Sequence, residues 1–347
     1  MKYCIIQIYK KGEVLNLQKE FEDFHQKIRL STYDENQTLR EKRDLLIDEL
    51  KDKLKDEKVP NTTKKLTFTK LDQGSYAMNT GIKPKNDDYD IDVGVIFDVT
   101  NEEYESHKLK KLVFDKLNLN HKRTVKYNRP CITVEYADGY HVDLAIYSKN
   151  NEDIHIAWGK ENSKQENKLW YKSEPKKLTK WVADVSSDAD KYQQYRRCVR
   201  FIKKWKEKHF SSDGNNAPAS IGLTIQARNY FYYHKDNYLD TLIYIAERMK
   251  NDFNLNTESR KMNIDVRLPV EPRKNVYYKM SEIQQDNFYE KVEALVESLK
   301  DAKNEDSRNK ACKILRKVFG DEFPLSDDDD TTEYSKSMPF VTTGNSA

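Results

Sequence analysis

One segment, residues 71–98, constrains the fold more than any other part of the chain. Within it, Asp90 and Asp92 are separated by one isoleucine and followed by an apolar run. Alternate residues of a β-strand point to the same face, so the two carboxylates would lie roughly 6–7 Å apart while the apolar residues enter the core. The alternation predicts a half-buried strand that presents two hard oxygen ligands, which suits a Mg²⁺-bound nucleotide.

A glycine–serine pair comes before this strand. The apolar run LTFTKL at 66–71 predicts a first strand, and Gly74 and Ser75 follow it. Glycine leaves room for backbone amides to approach a triphosphate, and serine can offer its hydroxyl and the amide of a helix N-terminus. We predict that both residues bind nucleotide phosphates, although a lone Gly-Ser pair carries little weight without the acids that follow.

A third carboxylate lies in a later strand. Two alternating runs, 131–137 and 140–149, are joined by an Asp-Gly dipeptide, which is a strong signal for a β-hairpin. Asp143 is the acid inside the second, otherwise apolar run. The sequence therefore places three aspartates in one predicted sheet.

The three aspartates Asp90, Asp92 and Asp143 together indicate a metal site. Burying them without a cation would cost several kcal/mol. Two Mg²⁺ or Mn²⁺ ions about 3.5–4 Å apart could activate an attacking hydroxyl and neutralise a leaving pyrophosphate. We predict that all three are catalytic metal ligands, and that Asp143 also accepts the proton of that hydroxyl. For the Asp-x-Asp pair alone, the alternative is a solvated surface turn.

The composition limits where the protein works. Mean hydropathy is −0.95 and 34% of residues are charged, and no run approaches the roughly 18 apolar residues of a membrane helix. The first residues do not form a signal peptide, so we expect a cytoplasmic protein without a membrane partner. The four cysteines and seven histidines are dispersed, which argues against disulfides and zinc sites.

The order of patterns predicts an α/β (α+β) protein with two lobes. Residues 1–60 are expected to form N-terminal helices, including a long spine helix that braces both lobes. A mixed-sheet catalytic core is expected over 61–165, a helical lobe over 166–320, and a disordered acidic tail over 321–347.

The segment GSYAMNTGIKPKNDDYDIDVGVIFD, followed by HVDLAIY, resembles the DNA polymerase β-like nucleotidyltransferases. More narrowly, it resembles the cGAS/DncV-like nucleotidyltransferases of bacterial CBASS anti-phage systems, over roughly residues 35–320. The resemblance implies a polymerase β-like lobe that makes a cyclic di- or trinucleotide from ATP, GTP or other NTPs, with the product activating a downstream effector. It also assigns the Gly-Ser turn and the three aspartates to the family's phosphate and metal sites.

Two further residues carry over from the resemblance. Lys203, in RFIKKWK (200–206), falls where the family offers a lysine to the triphosphate. Ser220, in APASIGLTIQA (217–227), falls where a family serine begins a helix near the donor nucleotide. The alternatives are a solvated basic helix for Lys203 and its neighbours, and a plain N-cap for Ser220.

Other expectations concern partners and specificity. The basic segment 191–208 could bind an activating RNA through phosphate contacts, and the chain lacks the zinc ribbon of the animal DNA sensor. Within the family, some synthases are conjugated at their C-terminus by a ubiquitin-like transfer pathway, for which the tail ending at Ala347 would be suited. Candidates for contacts with the bases are Tyr147, Gln226 and Asn229 by vicinity, and Trp170, Trp181 and Trp205 by stacking, although tryptophans at these spacings are more often core.

Two rival functions remain open from the sequence. The nearest is a nucleotidyltransferase that adds nucleotides to an RNA, protein or small-molecule acceptor. The other is an RNA-binding sensor without activity, against which the intact Gly-Ser turn and aspartates argue.

Overall fold

The computed structural model describes residues 15–30, 34–119 and 123–326. The predicted conjugation site at the C-terminus and most of the predicted acidic tail lie outside these ranges. The first residues of that predicted tail are ordered, since Phe323 is fully buried and packs on Phe21 and Phe24. The expectation of disorder from residue 321 is therefore wrong for 321–326, because an aromatic side chain anchors this segment in the core.

The first lobe is built on a mixed sheet. Its strands, within the described residues, are β1 (Phe68–Asp72), β2 (Tyr89–Phe97), β3 (Arg123–Tyr127), β4 (Ile132–Tyr136), β5 (Tyr140–Asn150), β6 (Asp153–Ala157) and β7 (Trp170–Ser173). Their order is β1-β2-β5-β4-β3, and β6 joins the far end of β5 to β7. Only β2 and β5 run parallel; the other neighbours, including the predicted β4–β5 hairpin, are antiparallel.

Strand β5 is the centre of this sheet. Its first half pairs with β2 on one side and β4 on the other, and its second half pairs with β6. Three helices belong to this lobe: α2 (Asp34–Leu54), the one-turn α3 (Gly74–Ala77) and α4 (Ser106–Leu117). The core-facing residues of β2 and β5 are fully buried against α2 and α4, as the strand alternation requires.

The second lobe is helical. Its helices are α1 (Gln18–Ile28), α5 (Pro175–Ala183), α6 (Ala189–His209), α7 (Ser220–Asn229), α8 (Tyr238–Asn251), α9 (Glu282–Asn304) and α10 (Arg308–Phe319), with a small hairpin of β8 (Phe253–Asn256) and β9 (Lys261–Ile264). Helix α6 is at the centre and contacts α1, α7, α8 and α10. The mixed sheet and helical lobe confirm the predicted bilobed α/β fold.

The two N-terminal helices belong to different lobes. The buried residues of α2 join the core beneath the sheet, whereas the phenylalanines of α1 join the core of the helical lobe. The buried face of the long helix α2 therefore packs in the sheet lobe and does not brace both lobes as predicted. The sequence signal was ambiguous because amphipathic spacing shows that a helix has an apolar face but not which core receives it.

The sheet is also larger than its predicted range. Strand β7 ends at Ser173, beyond the predicted boundary at residue 165, and β6 lies between β5 and β7. The sequence did not indicate this last strand because the four residues of β7 are too few to show a period of two.

Candidate active site

The three predicted aspartates lie on adjacent strands of the sheet. Asp92 on β2 is directly beside Asp143 on the parallel strand β5, and Asp90 is beside His141. On the other side of β5, Asp143 faces Thr133 of β4. A single row across three strands therefore runs Asp92, Asp143, Thr133, and the sheet register sets the spacing of these side chains.

Gly74 is required by Asp92. Its φ is +69°, and a Cβ at this position would lie 1.8 Å from the Asp92 carboxylate oxygen Oδ2. A side chain at residue 74 is therefore excluded twice, by the left-handed backbone and by the neighbouring acid. The sequence predicts that this glycine lets phosphates approach the backbone, and the structure adds that it makes room for the side chain of a predicted metal ligand, Asp92.

The carboxylates of Asp90, Asp92 and Asp143 repel one another. Burial, followed by the charges of Asp90 and Asp143, raises the pKa of Asp92 to about 7, while Lys203 acts in the opposite direction. Burial also raises the pKa of Asp143, although a hydrogen bond from Thr133 opposes that rise. Such mutual repulsion in a buried site is typical of groups that function with a cation.

The chemistry of these residues suits a hard divalent cation. Their side chains, however, do not converge on one point as metal ligands do. Carboxylate oxygens are the ligands that Mg²⁺ and Mn²⁺ prefer, and the raised pKa values show what a cation would relieve. Across 15–30, 34–119 and 123–326, however, no three acidic, histidine or cysteine side chains converge into a ready metal site. Asp143 is instead hydrogen-bonded by the Thr133 hydroxyl and is not among the residues that line the cleft.

A cleft of about 1110 Å³ lies between the lobes in front of these strands. Both lobes contribute to its walls. The site residues that line it are Gly74, Ser75, Asp90 and Asp92 from the sheet lobe, and Lys203, Lys206 and Ser220 from the helical lobe.

Lys203 has partners in the opposite lobe. Its side chain is 7% exposed, and Nζ donates to the backbone carbonyl and the hydroxyl of Thr80, each at 3.0 Å. Burial lowers the pKa of Lys203 to about 7, against the pull of Asp90 and Asp92. One turn earlier on α6, Arg200 donates to the carbonyls of Asn79 and Gly81. Lys203 thus lies in an interlobe contact, and its role in binding the triphosphate stays a prediction.

Lys206 is a cleft residue that the sequence reasoning missed. Its Nζ donates to Ser220 Oγ at 2.7 Å, so the lysine that reaches the predicted serine is not Lys203 but the next one on the same helix face. The signal was present, since residues three apart on a helix are neighbours. Ser220 begins α7, whose N-cap is Ala219 without a side-chain cap, so the alternative reading of Ser220 as an N-cap is wrong.

The residues named for base contacts are mostly engaged elsewhere. Gln226 is buried and bonded to Asp252 and Tyr277, and Asn229 is exposed outside the cleft lining. Tyr147 does line the cleft, but its hydroxyl donates to Gln73 at 3.0 Å. The predicted stacking residues Trp170, Trp181 and Trp205 are absent from the cleft lining.

The basic segment 191–208 is largely occupied by contacts inside the protein. It contains eight lysines and arginines, of which only Lys191 and Lys208 are exposed. Lys204, for example, is 5% exposed and pairs with Glu207 and Glu322. The helix therefore does not present a continuous basic stripe. Arg200 and Lys203 contact the sheet lobe, and Lys204 contacts the C-terminal segment.

Two family models match the chain. The nucleotidyltransferase domain described as "Cyclic GMP-AMP synthase DncV-like" matches residues 68–147, and the C-terminal domain of cyclic GMP-AMP synthase matches residues 193–329. The first range contains every sheet-lobe residue of the site, and the second contains every helical-lobe residue.

Named relatives agree with these matches. A cyclic GMP-AMP synthase of Escherichia albertii is 25% identical over 225 residues, which are 61% of this chain and 49% of that protein. The chain thus spans about half the length of that relative. A cyclic AMP-AMP-AMP synthase of an Acinetobacter species is 22% identical over 290 residues, with 78% and 76% of the two chains covered.

The fold has a counterpart of known structure. Vibrio cholerae DncV, a cyclic AMP-GMP synthase described as a prokaryotic cGAS homolog, superposes with a TM-score of 0.71 at 19% identity, covering 89% of this chain and 97% of that one. The likeness extends over both lobes. With the two family models in the same order along the sequence, it leads to one conclusion: the chain belongs to the cGAS/DncV-like nucleotidyltransferases.

Proposed function

We propose that the protein joins nucleoside triphosphates into a cyclic oligonucleotide by nucleotidyl transfer. The observation that carries the proposal is that Asp90 and Asp92 of β2 face lysines across a cleft large enough for nucleotides. Gly74 is fitted against Asp92, and Asp143 lies beside Asp92 on the adjacent strand. This arrangement supports transfer to a hydroxyl, because it brings acids and phosphate-binding groups to the same space.

Each wall of the cleft has a separate task in this proposal. Lys203, Lys206 and Ser220 bind the triphosphate of the donor, with the amide of Ser75 on the opposite wall. The three aspartates hold divalent cations, and these, when bound, neutralise the phosphates and make the attacking hydroxyl more acidic. Asp143 accepts the proton of that hydroxyl, and the raised pKa of its carboxyl suits this role.

The product we propose is a purine-containing cyclic dinucleotide made from ATP and GTP. Support comes from the Escherichia albertii relative, which is named as a cyclic GMP-AMP synthase. Two successive transfers in one cleft would give first a linear and then a closed product. The Acinetobacter relative, named for a cyclic trinucleotide, makes a three-nucleotide ring the other outcome to be measured.

The biological setting belongs to the same proposal. We place the enzyme in the cytoplasm, in anti-phage defence, with a separate effector that binds the product and a ubiquitin-like transfer partner for the C-terminus. Among the described residues, no helix has the length and apolar character needed to cross a bilayer. Activation by RNA would have to use more than the two exposed basic residues of segment 191–208, and nuclease treatment that leaves activity unchanged would remove RNA from the proposal.

The test is product analysis from purified protein with all four NTPs. Chromatography with mass spectrometry should find a phosphatase-resistant cyclic dinucleotide. The double variant Asp90→Asn with Asp92→Asn should lose product by at least about a thousandfold, since both are proposed ligands of the reacting centre. Asp98→Asn is the matched control, because Asp98 follows the same strand and is exposed.

Two results would contradict the proposal. One is product formation by the double variant at the rate of the unchanged chain, which would show that the aspartates are not the reaction centre. The other is label from NTPs found on a macromolecule rather than in a small product, which would favour transfer to another acceptor.

A further inference from the structure

Asp143 has a hydrogen-bond partner on β4, on the opposite side of β5 from Asp92. Thr133 faces it across β4 and β5, is 7% exposed, and its Oγ1 is hydrogen-bonded to Asp143 Oδ1. A threonine hydroxyl has one proton and two lone pairs. Which way that proton points decides whether Thr133 stabilises the carboxylate or repels it.

Asn128 settles the direction of that proton. Its side-chain amide Nδ2 lies 2.9 Å from Thr133 Oγ1 and donates to it. One lone pair of the hydroxyl is taken by the amide, and the Cys131 sulfur, 3.7 Å from Oγ1, is a weaker acceptor than a carboxylate, so the single proton is directed to Asp143. The opposite arrangement would set the hydroxyl lone pairs against the carboxylate oxygen, leaving two acceptors in contact in a buried site.

Asn128 is itself fixed by a buried lysine. Lys110 of α4 is 1% exposed, and its Nζ donates to the backbone carbonyls of Asn128 at 2.6 Å, Arg129 at 2.9 Å and Gly159 at 3.1 Å. The backbone N–H of Asn128 donates to the Cys131 carbonyl at 3.0 Å, which closes the turn between β3 and β4. The three hydrogen bonds from this one ammonium group hold the turn in place. Pro130, in the same turn, lines the cleft.

We propose that Thr133 is a positioning residue for Asp143, with Asn128 orienting its hydroxyl and Lys110 holding the turn that carries Asn128. The inference rests on the proposed function, because it assigns Thr133 through the role of Asp143 in binding a divalent cation. The hydroxyl occupies Oδ1 and restricts rotation of the carboxylate. Asp143 is thereby presented in one orientation beside Asp92, and the carboxylate does not have to be ordered when the cation arrives.

The test measures binding of Mn²⁺ alone to the purified full chain by electron paramagnetic resonance, without nucleotide. Thr133→Val keeps the shape and removes the hydroxyl, and we expect the Mn²⁺ Kd to rise about tenfold or more, as for other residues that orient metal ligands. Thr133→Ser keeps the hydroxyl and should restore most of the affinity. Asn128→Ala removes the donor that orients the Thr133 hydroxyl, and it should reduce Mn²⁺ affinity less than Thr133→Val does.

Two further variants separate positioning from plain stability. Thr124→Val makes the same change on β3, where Thr124 is exposed, and should leave Mn²⁺ affinity unchanged. In an Asp143→Asn background, Thr133→Val should cause no additional loss, because residues that act through one group are not additive. Additive losses, or unchanged affinity in Thr133→Val, would overturn the positioning role.

The outcomes also distinguish this inference from the proposed function. If Asp92→Asn abolishes both Mn²⁺ binding and product while Thr133→Val changes neither, the positioning role fails and the proposed reaction stands. If Asp92→Asn leaves both unchanged, the metal site and the proposed reaction fail together.

Discussion

The two walls of the cleft are built on different principles. On the sheet wall, the positions of Asp92 and Asp143 follow from alternation along a strand and register between adjacent strands. On the helical wall, Lys203 and Lys206 are three residues apart on α6 and yet have partners in different lobes, Thr80 and Ser220. The comparison teaches that a sheet fixes its functional groups through the backbone, whereas a helix depends on how it is docked.

Among single substitutions that compare the two walls, the largest effect should come from the tightest contact on the sheet wall. Gly74→Ala would place a Cβ 1.8 Å from Asp92 Oδ2, so Asp92 must move. A displacement of about 1 Å at a reacting centre can cost about a hundredfold in rate, and we expect at least that loss in product formation. The measurement is the initial rate of product formation from NTPs.

Gly214→Ala is the control for the backbone effect. Gly214 also has a positive φ, of +62°, but a Cβ there would meet no atom within 4 Å. Its cost should be limited to about 1–2 kcal/mol of folding free energy for the left-handed conformation. Equal losses of activity in the two variants would show that backbone strain, not the contact with Asp92, makes Gly74 necessary.

A smaller effect should separate the two lysines of the helical wall. Lys206→Met removes the donor to Ser220 beside the predicted triphosphate site, and we expect KM for NTP to rise about tenfold, the usual worth of a charge-assisted hydrogen bond. Lys203→Met removes a proposed triphosphate ligand and also the bonds to Thr80, so it should raise KM and, because the lobes lose a contact, lower kcat as well.

Steady-state kinetics of both variants will decide between these roles. Lys203→Gln is a useful companion, since it keeps a donor for Thr80 without the charge. If Lys203→Met raises KM more than Lys206→Met does, Lys203 is the triphosphate ligand, as the family resemblance implies, and the interlobe contact is secondary.

The last effect concerns stability, not catalysis, and depends on pH on the helical side. Burial, followed by the charges of Arg200 and other arginines, lowers the pKa of His25 to about 3. Between about pH 3 and 6.5 the unfolded chain therefore binds a proton that the folded chain does not, so the free energy of unfolding falls as the pH drops through this window. Between pH 7.5 and pH 5 this amounts to about 2 kcal/mol.

Urea unfolding at both pH values checks this expectation. His25→Gln keeps an acceptor for the Arg200 guanidinium, which lies 3.3 Å from His25 Nε2, and should remove His25's part of the pH dependence. The same dependence in His25→Gln as in the unchanged chain would assign the acid sensitivity to other groups.

The difference between the walls explains what the sequence could predict. Strand alternation placed Asp90, Asp92 and Asp143 on one sheet, and the structure brings them to neighbouring positions. Thr133 was invisible because its importance comes from β4 lying beside β5, which no local pattern states. The contacts of the helical wall were harder to predict for the same reason. The sequence shows which residues share a face of α6 but not that Lys203 meets Thr80 and Lys206 meets Ser220.

The division of the N-terminal helices between the lobes has a consequence for synthesis of the protein. Phe21 lies 5.2 Å from Phe323 between ring centroids, at opposite ends of the described chain. The sheet lobe, by contrast, is complete once Ser173 has been made. On the ribosome, the sheet lobe with its acidic wall can therefore fold first. The core of the helical lobe, which contains α1, cannot be completed until some three hundred further residues have been made. The helical core behind the second wall closes only after Phe323 has been made, so the order of synthesis delays formation of the complete site.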